Sequence, residues 1–515
     1  MLQLLKRITL PLLILATLIA LLNFKDRFGY EEVPINTAQK VETPDLGTPV
    51  YSLRRAPELL TSPLATQQLQ ENLSELISSL PDSSCFAISA DGEQLFEFQK
   101  QLPLNPGGAQ KIITAYAALA QLGPDYQYET VISADRETDA DGNLLSSDLY
   151  VFGSGDPVIR TDAFLELLPE AYSSIRTSAD EMADLTVAMN ILFIQGAVVV
   201  NESRYDEERT IVGWDQELKE SAEIGSLSAS LLDGGFDGLR QNYSQQRGEN
   251  PTPLVPSVNP AKRFAANFDD LLEARGVIIL RAAKEVNNVE QSSLVELLTI
   301  KSPTLDQIAK QMLTNDDNVT AEMVLKEIGF SRTGQGSTGS GLVSLPEILA
   351  ANNIPNTELL LTDGSGLSHD NQATCGLFQS ILQDDEYGVT LKEALPLVGV
   401  EGVVSNTLLG TPFESNLIAH AHFETDRGAL VGSYTTPQGL EMNITYIVNF
   451  DDTESAENIH KSFLNGLAPI LSEFTGGKTL EEMGPRSVIE YNAGPSYVPF
   501  GLSSFPWQYF AAKDF

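Results

Sequence analysis

Apolar residues change their spacing near the start of the globular part of the chain. From Gln67 to Leu80 they recur at helical intervals, and Pro81-Asp82 predicts the end of that helix. Cys85 to Ser89 and Gln94 to Phe98 are short β-type runs on either side of Asp91-Gly92, a common signal for a tight hairpin. The pattern therefore predicts a helix followed by two paired strands.

Three further helices follow from the same reasoning. The polar run Asn105 to Lys111 leads into apolar residues at helical spacing, so a buried helix is predicted to begin near Gly108 and to end at Gly123-Pro124. Thr304 to Leu313 and Val319 to Ile328 predict two helices separated by a polar turn that contains Asp316 and Asn318.

The rest of the chain predicts an insertion and a return to the first sheet. Residues 126–290 alternate short β-type runs with polar and Gly/Pro-rich segments, which indicates an inserted domain. Ala429 to Thr435 and Leu440 to Phe450 predict two strands, and Glu454 to Phe474 predicts a helix that packs with them. Residues 476–515 show no clear period and are predicted to form a C-terminal tail.

The N-terminal residues 1–24 resemble an export signal. Lys6-Arg7 precedes an apolar run from Ile8 to Phe24, and Leu22 is bulky where a signal peptidase requires a small residue. This favours an uncleaved signal anchor, with a cleaved signal peptide as the alternative. We expect one N-terminal anchor in the cell membrane, a flexible linker over 25–62, and the bulk of the chain outside the cytoplasm.

Charge and cysteine content narrow the possible functions. The 515 residues carry 70 acidic and 32 basic side chains, a net charge of -38, which would repel the phosphates of nucleic acids. Nucleic acid is therefore excluded as a partner. The only two cysteines, Cys85 and Cys375, would form either a disulfide in an oxidising compartment or two buried thiols.

Several segments together resemble the class C penicillin-binding proteins, the D-alanyl-D-alanine carboxypeptidase/endopeptidase family. The matching landmarks, over about residues 65–475, are Pro106 to Lys111, Leu122 to Asp125, Asp148 to Tyr150, Gly153 to Pro157, Asn318 with Ala321-Glu322, and Asp363 to Ser368. The resemblance implies an α/β (α+β) fold, with an antiparallel sheet flanked by helices. It also implies a discontinuous transpeptidase-like domain, 63–125 and 291–475, interrupted by the inserted domain 126–290.

The family uses three motifs in one cleft, and the first is incomplete here. In Ser-x-x-Lys the serine attacks the peptide carbonyl from a helix N-terminus, and the lysine can take its proton. Lys111 matches the lysine, but Gly108 stands at the position of the nucleophile. No other lysine in the chain has a serine three residues before it.

The second and third motifs are also substituted. Ser-x-Asn matches Asp316-Asp317-Asn318, so a carboxylate replaces the hydroxyl while Asn318 is retained. The Lys-Thr-Gly strand matches His420-Ala421-His422, and neither Lys nor Arg lies between Lys392 and Arg427. The resemblance therefore implies a vestigial site at Lys111, Asp316 and Asn318, without the lysine that binds the terminal carboxylate of the peptide.

Two of these groups allow more than one interpretation. Lys111 and Asp316 would form either a relic general base with a new partner or a structural ion pair, and the structural pair is favoured. His420, His422 and Glu424 alternate along a predicted strand and would share one face, where they could bind zinc. Because His-x-His is more often structural, we predict no metal and no cofactor.

The sequence thus predicts a catalytically inactive cell-envelope homologue of serine-type D-Ala-D-Ala carboxypeptidases. Its expected partners are a peptidoglycan stem peptide or another envelope protein. The alternative is an active carboxypeptidase or endopeptidase in which Lys111 or Asp316 activates water in place of an acyl-enzyme.

Overall fold

The computed structural model describes residues 14–19, 58–144, 146–166, 175–214, 216–220, 224–239, 254–450, 456–474 and 476. The chain divides into two compact units, Met1–Leu59 and Leu60–Phe515. In the first unit residues 14–19 are helical, and no helix among the described residues is long and apolar enough to cross a membrane. The rest of the predicted anchor, most of the predicted linker and nearly all of the predicted tail lie outside the described residues.

One antiparallel sheet joins the two ends of the globular region. Its strand order is β15-β16-β17-β1-β2. The strands are β1 Ser84–Ala90, β2 Glu93–Phe98, β15 Leu417–Phe423, β16 Arg427–Thr435 and β17 Glu441–Asn449. The predicted hairpin is confirmed, since Asp91 and Gly92 have the positive φ values, 50° and 79°, that a tight β-hairpin needs. β1 pairs with β17, so the C-terminal strands do return to the first sheet.

Helices cover both faces of this sheet. Successive side chains of β1 point to opposite faces: Cys85 and Ala87 pack among the helices of one side, Phe86 and Ile88 among those of the other. The first side contains α2 Gln110–Leu122, α7 Leu305–Asn315, α8 Asn318–Thr333, α9 Thr338–Ala351, α10 Cys375–Leu382 and α11 Gly388–Ala394. The second side contains α1 Glu58–Ile77 and α12 Ala456–Ser472. The predicted fold class, an antiparallel sheet flanked by helices, is confirmed.

A second sheet lies between α2 and α7 in the sequence. Its order is β13-β9-β5-β3-β14, beside a three-stranded sheet β12-β8-β4 and two-stranded pairs β6-β7 and β10-β11. The strands are β3 Glu129–Ala134, β4 Asn143–Leu144, β5 Leu149–Phe152, β6 Ile159–Arg160, β7 Thr177–Ser178, β8 Phe193–Ile194, β9 Val198–Asn201, β10 Phe236–Leu239, β11 Leu254–Pro256, β12 Ile278–Ile279, β13 Lys284–Glu285 and β14 Val295–Lys301. The helices are α3 Asp162–Leu165, α4 Ala179–Ala188, α5 Gln216–Glu220 and α6 Pro260–Ala274.

Two predicted boundaries differ from these elements. α1 begins at Glu58, within the predicted linker 25–62, because Glu58-Leu59-Leu60 are residues that favour a helix. β14 lies beyond residue 290 but belongs to the second sheet, because it pairs antiparallel with β3. In other respects the predicted domain division stays a prediction.

A disulfide links the first sheet to its helices. Cys85 on β1 and Cys375 at the start of α10 are bonded, with their Cα atoms 6.0 Å apart. Of the two alternatives for these cysteines, the structure shows the disulfide.

Candidate active site

The Gly108 position lies in a crowded corner of the cleft. It belongs to a short 3₁₀ turn, Gly107–Ala109, that leads into α2, as the sequence predicted. A Cβ atom built on Gly108 would lie 2.9 Å from Oδ1 of Asp316 and 2.9 Å from Nδ1 of His422. Real Cβ contacts are longer than this, so any side chain at Gly108 requires both neighbours to move.

Lys111, the second residue of α2, is buried and is held by two acceptors. Its Nζ lies 2.7 Å from Oδ1 of Asp316 and donates a hydrogen bond of 2.9 Å to the backbone oxygen of Ser365. The Lys111 side chain is 1% exposed. Lys111 and Asp316 therefore form an ion pair, as both interpretations of the sequence require.

Ser365, whose backbone oxygen accepts the hydrogen bond from Lys111, lies in a loop that is held by two buried acidic side chains. Asp363 accepts from the amides of Gly366 and Ser368, and the indole of Trp214 donates to it over 2.8 Å. Glu322 accepts from the amide of Ser365 over 2.8 Å. Burial, together with the nearby Asp363 charge, raises the pKa of Glu322 to about 8.

Asp316 lies at the centre of the site because of the turn between α7 and α8. It ends α7 in a left-handed backbone conformation, φ 55° and ψ 42°, which aspartate tolerates better than most residues. Asp317 then caps α8 by accepting from the amide of Thr320, and Asn318 is the first residue of α8. The turn thus places the Asp316 carboxylate beside Gly108 and Lys111.

Both histidines of β15 reach the same carboxylate. Nε2 of His420 lies 3.1 Å from Oδ1 of Asp316, and Nδ1 of His422 lies 2.9 Å from Oδ2. The alternation of a strand brings these two side chains to one face, as the sequence predicted. β15 therefore supplies two hydrogen-bond donors to Asp316, both from the segment that the sequence analysis matched to the third motif.

The contacts continue beyond His422 to Glu424, which the sequence analysis named as a possible zinc ligand, and to Arg427, which it did not assign to the site. Nε2 of His422 lies 2.7 Å from Oε1 of Glu424, and Nη2 of Arg427 lies 2.7 Å from Oε2 of Glu424. We call Lys111, Asp316, His422, Glu424 and Arg427 the ion chain. The sequence feature that could have indicated Arg427 is its position as the first Lys or Arg after Lys392.

The electrostatics of the ion chain fix its charges near neutral pH. Burial opposes ionisation of Asp316, but the Lys111 ammonium and the hydrogen bonds from the histidines outweigh it and hold the pKa of Asp316 well below its ordinary value. Burial would also lower the pKa of His422, but its hydrogen bonds to Asp316 and Glu424 raise it to about 9. Burial lowers the pKa of His420.

Positive and negative charges therefore alternate along the ion chain. His422 is an imidazolium that donates from both ring nitrogens, while His420 is neutral and donates from Nε2. Despite burial, the hydrogen bond from His422 and the charge of Arg427 lower the pKa of Glu424 to about 2. The ion chain thus contains three positive and two negative side chains, each in contact with a group of opposite charge.

The arrangement does not suit the predicted alternative of a metal site. His420 and His422 approach different oxygens of Asp316, Glu424 is bound to the far nitrogen of His422, and Lys111 shares the Asp316 carboxylate. In the part of the chain that the structure describes, the only three ligands whose atoms approach one another closely enough are the acidic residues Asp269, Asp270 and Glu273 on α6.

An open cavity lies at the Arg427 end of the ion chain. Its volume is about 190 Å³, and it is lined by Asn105, His369, Asp426, Arg427, Asn449 and Phe450. The Arg427 side chain is 5% exposed and donates to Nδ1 of His369 over 2.9 Å. The ion chain therefore separates this cavity from the Gly108 corner.

Comparisons with known proteins agree with this fold. A D-alanyl-D-alanine carboxypeptidase of an Actinomadura species is 24% identical over 418 residues, 68% of this chain and 74% of the relative. The crystal structure of penicillin binding protein 4 from Haemophilus influenzae superposes with a TM-score of 0.63 at 20% identity, covering 78% of this chain and 99% of that one. The same protein with a bound β-lactam gives a TM-score of 0.58 at 20% identity and the same coverage.

The sequence profile of the D-Ala-D-Ala carboxypeptidase 3 (S13) family matches residues 69–260 and 248–468. These two ranges include Gly108, Lys111 and the ion chain as well as both large sheets. The resemblance stated from the sequence motifs is confirmed: the chain belongs to the D-Ala-D-Ala carboxypeptidase 3 (S13) family.

Proposed function

We propose that this protein is a cell-envelope member of its family that holds a peptidoglycan stem peptide, or a partner protein, without cleaving it through an acyl-enzyme. The observation that carries the proposal is that Asp316 and His422 leave no room for a Cβ atom at Gly108. The space that a serine side chain would need is occupied by the side chains that replace the other two motifs.

The chemistry of serine-type hydrolysis supports this view. The mechanism requires a nucleophile and a base that can accept its proton, and losing the nucleophile alone costs on the order of a million-fold in turnover. Gly108 offers no nucleophile, and Lys111 donates to two acceptors. The retained residues can shape a cleft but lack the parts of an acyl transfer.

The alternative, hydrolysis by water that Lys111 or Asp316 activates, receives less support. A carboxylate whose pKa lies well below its ordinary value is a weak base. Asp316 also accepts contacts from Lys111, His420 and His422. The ion chain thus favours binding over general-base catalysis.

The proposal includes a place outside the cytoplasm, with residues 1–24 as the anchor. The Cys85–Cys375 disulfide supports it, because disulfides form and persist in oxidising compartments. A peptide of the cell wall would be accessible to the protein there.

Fluorescent penicillin tests the proposal directly. The full chain should show no covalent, saturable labelling, whereas penicillin binding protein 4 of Haemophilus influenzae, which has been crystallised with a β-lactam, serves as the positive control. Binding of a D-Ala-D-Ala peptide, followed by calorimetry, should proceed without release of D-alanine. Saturable covalent labelling, or steady D-alanine release, would show that the protein is an active enzyme.

A further inference from the structure

The His422 ring is a cation placed between two carboxylate oxygens that have no other partner among the described residues. Lys111 and His420 contact Oδ1 of Asp316, which leaves Oδ2 to His422. Arg427 contacts Oε2 of Glu424, which leaves Oε1 to His422. Each carboxylate therefore has one oxygen held by a fixed cation and one held by the imidazolium.

The groups around the ring come from four parts of the fold. Lys111 comes from α2, Asp316 from the turn between α7 and α8, and Arg427 from β16, while Glu424 follows β15 directly. His420 lies on the same strand as His422 and is neutral. Without the ring, two cations and two anions remain, but two carboxylate oxygens would face the vacant space.

His422 is the most exposed of the three cations in the ion chain. Its side chain is 24% exposed, against 1% for Lys111 and 5% for Arg427. Rotation of the ring would uncover Asp316 and Glu424 toward solvent and toward the ligand. An unpaired carboxylate oxygen in a partly buried site costs free energy. A ligand that takes the place of the ring must therefore supply hydrogen-bond donors or a positive charge.

We propose that the cleft beside Gly108 selects a cationic group of the ligand, an ammonium or an imidazolium, which binds Asp316 and Glu424 where the His422 ring now lies. The inference rests on the proposed function, because only a site free of acyl transfer can use these carboxylates for binding. It reverses the charge preference implied by the family motifs, in which a lysine on this strand binds a carboxylate.

Electrostatics favour this choice over an anionic ligand. A carboxylate in the same place would face the uncompensated oxygens of Asp316 and Glu424 at short range. Like charges at such distances repel strongly when they are partly desolvated. The net charge of -38 adds a long-range attraction for cations.

Replacing the ring by a small side chain makes the test specific. In the full-length His422→Ala variant, imidazole at about pH 6, where the free ring is largely protonated, should raise the melting temperature in a saturable way. Acetate and acetamide should not. His369→Ala removes an exposed histidine and should give no such response. Equal stabilisation by acetate, or an equal imidazole response in both variants, would overturn the proposal.

A second measurement uses the unaltered chain and does not depend on the folding of a variant. Calorimetry should show that D-alaninamide, which carries only an ammonium, binds at least about tenfold more tightly than N-acetyl-D-alanine, which carries only a carboxylate. Equal or reversed affinities would overturn the inference. Penicillin labelling detects only an acyl-enzyme. It can therefore show that the proposed function fails, independently of the two measurements that test the cation preference.

Discussion

A Cβ atom on Gly108 would lie 2.9 Å from Nδ1 of His422. The absence of a side chain at Gly108 is therefore coupled to the presence of the imidazole. Because the same ring contacts Asp316, the residues Gly108, Asp316 and His422 form one packed unit.

Gly108→Ser should destabilise the protein and should not create carboxypeptidase activity. The new side chain must displace both Asp316 and His422, and such overpacking costs roughly 1–3 kcal/mol. Urea denaturation would measure the loss, and D-alanine release would measure activity. Gly213→Ser is the matched control: a Cβ there meets no atom within 4 Å, and its effect should stay within about 0.5 kcal/mol. Rapid D-alanine release by Gly108→Ser would show that the assignment of the other motifs is wrong.

Lys111→Met should be strongly destabilising, by about 3–5 kcal/mol, because it leaves Asp316 as a buried carboxylate without its closest cation. The exposed pair Lys301–Glu129 supplies the control, since Lys301→Met should cost less than about 1 kcal/mol.

The double variant Lys111→Met with Asp316→Asn then tests the coupling of the pair. It should recover part of the loss, because the uncompensated charge is gone. Simple addition of the two single effects in urea denaturation would mean that the two side chains do not stabilise each other.

The stability of the fold should fall at alkaline pH through His422. Its folded pKa of about 9 lies above the ordinary value of 6.5, so its contribution is complete below about pH 6.5 and disappears as the pH rises through about 9. The full effect is on the order of 3 kcal/mol. Denaturation of His422→Gln between these pH values should show a shallower fall. His369→Gln should behave like the unaltered chain, and an identical slope in all three proteins would contradict the prediction.

Removal of the Cys85–Cys375 disulfide should cost roughly 2–5 kcal/mol, toward the upper end because the bond closes a long loop with a sequence separation of 290. The double variant Cys85→Ser with Cys375→Ser should melt at a lower temperature than the oxidised protein. Thiol titration of the unfolded, non-reduced chain should find no free cysteine. Two titratable thiols would show that the bond does not form.

Most of the main domain could be predicted from local patterns. The hairpin at Asp91-Gly92 and the helix beginning near Gly108 follow from turn residues and apolar spacing, which act over short stretches of chain. The predicted helices before and after Asp316 are likewise present. The starts of α1 and β14 were harder to predict from the sequence. The start of α1 overlaps a polar, proline-containing segment, and the place of β14 depends on its pairing with a distant strand.

The residues of the candidate site and the pairing of Lys111 with Asp316 could be predicted from the sequence, but the other contacts of the site could not. Gly108, Lys111, Asp316 and His422 could be named from motif positions. That the side chains of Asp316 and His422 occupy the room left by Gly108 depends on distances between α2, a turn and β15, which no local pattern contains. Arg427 was missed for the same reason, because its link to Glu424 exists only in the folded protein.

The left-handed turn at Asp316 has a consequence for how this sequence can change. Serine adopts a φ of 55° less readily than aspartate does. Serine at position 316 alone would therefore strain the backbone and would remove the carboxylate that Lys111, His420 and His422 contact. Restoring serine at Gly108 alone forces a clash, and restoring lysine on β15 alone would crowd Lys111 with a second positive charge. Each of these single substitutions is therefore expected to lower the stability of the fold. Because Asp316 contacts Lys111, His420 and His422 at once, a change at one of these positions would be tolerated only together with changes at the others.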